Sequence, residues 1–502
     1  MLREVLLGLA GLFLLAYNLE YFVAQRDDPR EPRRLSPSIP VPIIGHVLGF
    51  FRHGFGYYNY LSETTDAEIY TVGILNFKVY ISNSTRITQL AQKAKSLTFT
   101  PLLKTHNKIH AQISDESDKI FDGDLLENFS HSTKATLAPG PALNAQNLRM
   151  GNQALLELKT LLKQGEVELL AWAKHAVVQA TAAGLYGVEH PLKDPEIEQA
   201  MWTWDEHRPG HMVGVDIWGT GYKARTKVWK AFRQYFENMP DDVSLLVAER
   251  QRILLSGGFT ADEIARMQST LSDAAYPNTV PTLFWTVYEI FSRPQLLEDV
   301  RAEVFNKAVR KSESGFELDV SALKTECHTL LSAYQETQRV RHYQVGFRAI
   351  TEDTFLDGYL LKKGGYLQIP AKPTHYNSDI WGSEASEFDP YRFVPSKSGE
   401  KKTKILPSNF QPWGMAPHMC PGRQFASTEI LIIAALLACR ADLTPVGGKG
   451  WIRDPVLRSM EIPSLPRPQT DPRLVVTERE EGKGEWSIKM GDSMTRVSLA
   501  SG

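Results

Sequence analysis

Cysteine is scarce in this chain of 502 residues, with only Cys327, Cys420 and Cys439. A count that is both low and odd excludes a disulfide framework and fits a reducing compartment. Net charge of one sign is lacking too, since 56 Lys and Arg stand against 58 Asp and Glu. Without a basic field over the whole chain, nucleic acid is not expected as a main partner. No internal repeat or long low-complexity tract is seen. Glycine patterns such as Gly219 to Gly221 lack a strand before them and a phosphate-binding helix after, so no dinucleotide motif is present. The remaining composition, 42% hydrophobic and 23% charged, is globular rather than collagen-like or disordered. At about 150 residues per domain, the length allows roughly three domains or one large one.

Two features mark the start of the chain. An unbroken apolar run from Val5 to Tyr17 extends, with Asn18 and Glu20 tolerated, as far as Val23. A hydrocarbon core of ~30 Å needs ~20 mainly apolar residues, so this stretch is just long enough to span. The rival readings are a cleaved signal peptide and a core helix. Arg3 is offset by Glu4, and no small-residue cleavage site follows the run, which favours an uncleaved single-pass anchor over residues 1–25. Arg26, Arg30, Arg33 and Arg34 then place the rest of the chain on the cytosolic side. Five prolines between Pro29 and Pro42 predict a stiff stalk over residues 26–42. Residues 43–480 read as the globular domain, and 481–502 as a polar tail with little to form a core.

Within the globule, apolar residues recur at helical spacing from Gln146 to Tyr186, closed by Gly184 and Gly187. A stretch rich in tryptophan and tyrosine, Trp202 to Tyr235, carries the loop signals Pro209, Gly210, Gly214, Gly219 and Gly221, and its aromatics are expected mostly in the core. From Phe347 to Pro370 the pattern turns to short β-branched segments and turns. The fold class expected is mainly α with small β-sheets.

One cysteine has a distinctive setting. Cys420 ends a turn-rich loop and precedes a long apolar helical run, so its sulfur faces unpaired N–H groups at a helix start, which lowers a thiol pKa and favours metal ligation. Gly414, Ala416 and Gly422 allow close backbone approach, as a flat cofactor requires. Three cysteines so far apart suit neither a zinc nor an iron–sulfur site, whereas an axial thiolate needs only one. Cys327 and Cys439 read as small buried hydrophobes.

The segment Trp413 to Ala426 resembles the haem-binding loop of the cytochromes P450. By that resemblance Trp413 takes the aromatic place, Ala416 a glycine place, His418 the basic place that meets a haem propionate, Cys420 the axial ligand place, and Gly422 and Ala426 the last two. Glu336 and Arg339 match the family's Glu-x-x-Arg, with Arg392 as third member of a structural cluster that braces the loop. Arg348 is implied as the second propionate partner. A Trp-x-x-x-Arg, which often supplies another such contact, is absent, with His131 or Lys134 standing nearby. The resemblance implies the P450 fold over one domain and haem b as cofactor.

The stretch Ala274 to Pro294 is similar to the family's central helix without gaps. Where most members have an acid followed by threonine, this chain has Pro277 and Asn278, with Thr279 one place on. That pattern resembles the branch of bile-acid sterol hydroxylases and prostacyclin synthase, and relatives in fungal secondary metabolism. Two prolines in a helix free the carbonyls of Asp273 and Pro277, which could hold water that Asn278 orients. Asn278 and Thr279 are therefore the expected catalytic residues on the oxygen side.

The function so implied is a haem-thiolate monooxygenase acting on a lipophilic terpenoid, steroid or polyketide, roofed by Lys108–Glu127 and Trp202–Trp229. Its electrons would come from NADPH through a separate cytochrome P450 reductase. The expected setting is a monomer in the endoplasmic reticulum membrane with a cytosolic domain. The alternative is a haem-thiolate isomerase, dehydratase or peroxide-rearranging enzyme of the prostacyclin synthase type; a non-catalytic haem or ligand carrier is the third reading.

Overall fold

A computed structural model describes residues 2–313, 315–343, 345–395, 405–448, 450–458 and 464–501. Helices dominate, and they pack round one that runs from Ala261 to Phe291. Its start is set by a capping box, in which Thr260 and Glu263 satisfy each other's backbone N–H groups. Pro277 and Pro281 lie inside it without ending it, because both flanks are buried in the core. The helices Leu169–Tyr186, His328–Arg341 and Arg423–Arg440 pack against this central helix. The apolar run read as one helical region from Gln146 to Tyr186 is two helices, Pro141–Leu161 and Leu169–Tyr186. Gly165, at φ +76°, lets the chain turn between them.

A five-stranded sheet stands beside the helices. Its spatial order is Ile69–Ile74, Phe77–Ser82, Tyr366–Pro370, Val345–Ile350 and Leu97–Thr98. The register sets Leu367 opposite Arg348, which fixes that arginine on a central strand. In the aromatic stretch, Pro209 and Gly210 lie within the helix Pro195–Met212, and the loop runs only from there to Thr220. The roof segment after Lys108 is largely helical, as Asp115–Ile120 and Gly123–Thr136.

The two ends differ from a free stalk and a loose tail. The helix Leu2–Ala24 is long and apolar enough to cross a membrane, and its apolar window is not buried against the protein. Residues 26–42, however, lie along the sheet: Leu35 N donates to Thr71 O, and Thr71 N to Arg33 O. Glu31 accepts hydrogen bonds from Lys78 and Tyr80. At the other end, Trp486–Lys489 pairs in parallel with Gly315–Asp319. Val497 is buried and exchanges hydrogen bonds with Gln424 on the helix after Cys420. A few apolar side chains at the right positions anchor a mostly polar segment.

Candidate active site

The loop before Arg423–Arg440 is closed by Cys420 N donating to Trp413 O at 2.8 Å. Gly414 bends it at φ +80°, a backbone conformation that a side chain would strain. Gly422 is the residue before the helix; at φ −79° it meets no backbone demand, but a Cβ there would lie 3.9 Å from Cys420 Sγ. A side chain at this position would therefore meet the sulfur only at ordinary contact distance. Cys420 is exposed, while Cys327 and Cys439 are buried. Its thiol is nevertheless pushed up by the surrounding protein, against the pull of Gly422 N–H and Arg423. The lowering expected from the helix start is outweighed by burial.

Two basic side chains, Arg348 and His418, stand at this loop. Arg348 is 2% exposed, donates to the carbonyls of Phe347 and Met415, and leaves Nε buried without a partner. Burial alone pulls it down to about 10, with no carboxylate contributing. His418 is held at about 4 by burial and by the positive charges of Arg348 and Lys134. Arg348 is thus a buried cation without an acid, and the half-buried His418 beside it stays neutral near pH 7; an anion joining them would relieve the one and favour protonation of the other.

Behind the loop, Glu336 and Arg339 are fully buried and form a bidentate pair at 2.8 and 2.7 Å. Arg392 Nε reaches both oxygens of Glu336 at 3.1 and 3.2 Å. Arg339 also donates to the carbonyls of His375 and Glu387. The cluster is fully hydrogen-bonded, so it ties three chain segments together.

Burial along the central helix shows which face is open. From Met267 to Phe291 every residue is buried except Leu271, Ala274, Ala275 and Asn278. These recur at i, i+3, i+4 and i+7, one face of a helix. Asn278 lies on that face. Thr279 does not; it is 7% exposed and its hydroxyl donates to Ala275 O at 2.7 Å. The carbonyl of Asp273, freed by Pro277, holds a side chain instead of water, since Arg208 Nη1 donates to it at 3.1 Å. Sequence reasoning missed Arg208: the proline announced a free acceptor, but nothing local named its donor.

A helical fold round a long buried helix, an exposed cysteine at a helix start and a buried arginine lacking an acid are features a haem-thiolate protein requires. The unpaired Nε of Arg348 and the acid-free pair Arg348 and His418 fit the propionates of a haem, and the open Cys420 fits its iron. The cytochrome P450 family model matches residues 224–446. Over 498 residues, and 95% of both chains, the sequence is 30% identical to the cytochrome P450 monooxygenase nodJ of Hypoxylon pulicicidum. A cytochrome P450 monooxygenase of Gibberella zeae is 28% identical over 89% of this chain and 88% of its own. Mouse cytochrome P450 7B1 is 23% identical, covering 88% of this chain and 91% of its own, and a 25-hydroxycholesterol 7-alpha-hydroxylase of Rattus norvegicus is 28% identical over 41% of this chain and 53% of its own, in keeping with the sterol hydroxylase branch. The retinoic-acid-bound structure of cyanobacterial CYP120A1 superposes with a TM-score of 0.70 at 17% identity, over 89% of this chain and all of that one. This chain belongs to the cytochrome P450 family, as a monooxygenase whose cofactor is haem.

Proposed function

We propose that the protein inserts one oxygen atom of dioxygen into a lipophilic small molecule, of the terpenoid, steroid or polyketide kind, in fungal secondary metabolism. NADPH supplies two electrons through a separate reductase, and the second oxygen leaves as water. The observation that carries this reading is the pairing of an accessible Cys420 with the open face Leu271, Ala274, Ala275 and Asn278 on a helix otherwise buried. Haem bound here would supply the oxygen-activating chemistry.

The chain's own residues do the rest. Cys420 holds the iron, and Arg348 and His418 pair with the propionates, Lys134 adding positive charge. Trp413 and Gly422 shape the loop against the cofactor. Glu336, Arg339 and Arg392 brace that loop without touching substrate. Ala274 and Ala275 leave room on the open face, and Asn278 presents its amide there. The helix Leu2–Ala24 anchors the chain as a single pass in the endoplasmic reticulum membrane, with the domain cytosolic and monomeric.

A second reading has its own support. Pro277 stands where a proton-relaying acid is usual, and rearrangement of a peroxide needs no such relay. Turnover by the purified full chain with reductase separates the two. Consumption of NADPH and dioxygen with substrate supports oxygenation; product from a peroxide substrate with neither would overturn it. Cys420→Ala abolishes the thiolate-type band of the reduced carbon monoxide complex if the ligand is assigned correctly.

A further inference from the structure

A carboxamide on the open face is ambiguous, since one edge donates and the other accepts. The surroundings of Asn278 remove the ambiguity. Its Oδ1 accepts from Ser464 N at 2.8 Å and from Ser464 Oγ at 3.0 Å. A backbone N–H can only donate, so the edge facing Ser464 must be the oxygen. Two donors occupy both lone pairs of that oxygen, and no acceptor among the described residues takes Nδ2.

Ser464 is itself fixed on both sides. Its carbonyl accepts from Tyr343 N at 2.8 Å. Leu465 is buried, and the carbonyl of Pro466 accepts from Trp285 Nε1 at 2.8 Å, two turns further along the same helix. Backbone bonds from Arg458 N to Arg467 O and from Gln469 N to Val456 O tie residues 464–469 to residues 456–458. The segment is thus a rail beside the central helix, pinned at Asn278 and Trp285.

We propose that Ser464 is a positioning residue that fixes the Asn278 amide as a hydrogen-bond donor, so that the open face recognises a small oxygen acceptor. The acceptor is either a diatomic ligand on the cofactor or an oxygen of the substrate itself. A donor held in advance costs little reorganisation when that acceptor arrives. This rests on the reading of the site as a haem-thiolate centre.

The test compares the haem-loaded full chain with Asn278→Ala, Asn278→Asp, Ser464→Ala and Ser464→Thr. The readouts are the C–O stretching frequency of the reduced carbon monoxide complex, without and with substrate, and the hydrogen peroxide released per NADPH. A donor to the ligand lowers that frequency, so Asn278→Ala and Asn278→Asp should both raise it. Ser464→Ala should move the band part of the way or split it, and Ser464→Thr, which keeps the hydroxyl, should restore it. Peroxide release should rise roughly two- to tenfold in Asn278→Ala, the ratio that one lost hydrogen bond supports. Shifts seen without substrate assign the acceptor to the diatomic ligand; shifts seen only with substrate assign it to the substrate oxygen. A Ser464→Ala band identical to wild type, beside a shifted Asn278→Ala band, would overturn the positioning role. An unmoved Asn278→Ala band in both conditions would overturn the donor itself. A wild-type chain with no thiolate-type band would overturn the underlying reading, a result distinct from either.

Discussion

At the residue scale, His418 and Arg348 give the loop around Cys420 its electrostatic character. His418 sits at about 4 because burial and the charges of Arg348 and Lys134 disfavour its protonated form. Between its ordinary value and about 4, the unfolded chain binds a proton that the folded chain refuses. This group therefore lowers the stability of the haem-free protein as pH falls through that window. Urea unfolding at a series of pH values should show a shallower loss in His418→Gln. A dicarboxylate joining these two groups has the opposite sign, since it raises the histidine pKa. Cofactor loading near pH 5 should accordingly take up protons, measurable as a buffer-dependent heat in calorimetry, and Arg348→Met should weaken cofactor retention through gel filtration. The identity of these residues was legible from their place in the loop and strand. Their lack of an acidic partner was not, because a missing contact leaves no mark on local sequence.

Two elements, the brace and the central helix, offer tests of their own. Glu336→Ala leaves the Arg339 and Arg392 guanidinium groups without their carboxylate, and Arg339 is fully buried. Breaking a buried pair in this way costs about 3–5 kcal/mol, so chemical denaturation should show a large drop in midpoint together with loss of bound haem. In the helix, Arg208→Met takes the donor from the Asp273 carbonyl, for which about 1–3 kcal/mol is expected. Burial raises the Asp273 carboxyl to about 6, and Arg208 opposes that rise. Below that pH the folded state keeps a proton that the unfolded chain releases, so this group's contribution to stability is lost as pH climbs towards about 6. Without Arg208 the carboxyl rises further, and the loss should extend to higher pH in thermal melts. The prolines in the helix could be read from the chain. That Thr279 turns its hydroxyl to Ala275, while Asn278 lies on the open face with Leu271, Ala274 and Ala275, follows from helical phase against neighbours that only packing defines.

The two ends behave differently in the whole molecule. The apolar window of the first helix buries nothing against the protein. Removing residues 2–25 costs the domain the hydrogen bond from Ile43 N to Glu20, so the melting temperature should fall only slightly and the carbon monoxide spectrum should stay unchanged while the chain is released from the membrane fraction. Truncation after Lys483 should do the reverse. It deletes the strand Trp486–Lys489 and the buried Val497, and each fully buried aliphatic side chain is worth about 1.5–3 kcal/mol, so a sharply lowered midpoint is expected.

What the sequence alone determined rests on local pattern: the apolar run, the setting of the Cys420 loop, the Glu336 and Arg339 pair picked out by its flanks from identical spacings elsewhere, and the prolines that free a carbonyl. The fold class followed because helical period and turn signals are local as well. Tertiary structure decided the partners. Ser464 lies 186 residues from Asn278, and Arg208 65 residues from Asp273. It also decided that a polar end forms a strand. Such contacts depend on which surfaces the whole chain buries together, and so on the summed packing of distant segments, which no window of neighbouring residues contains.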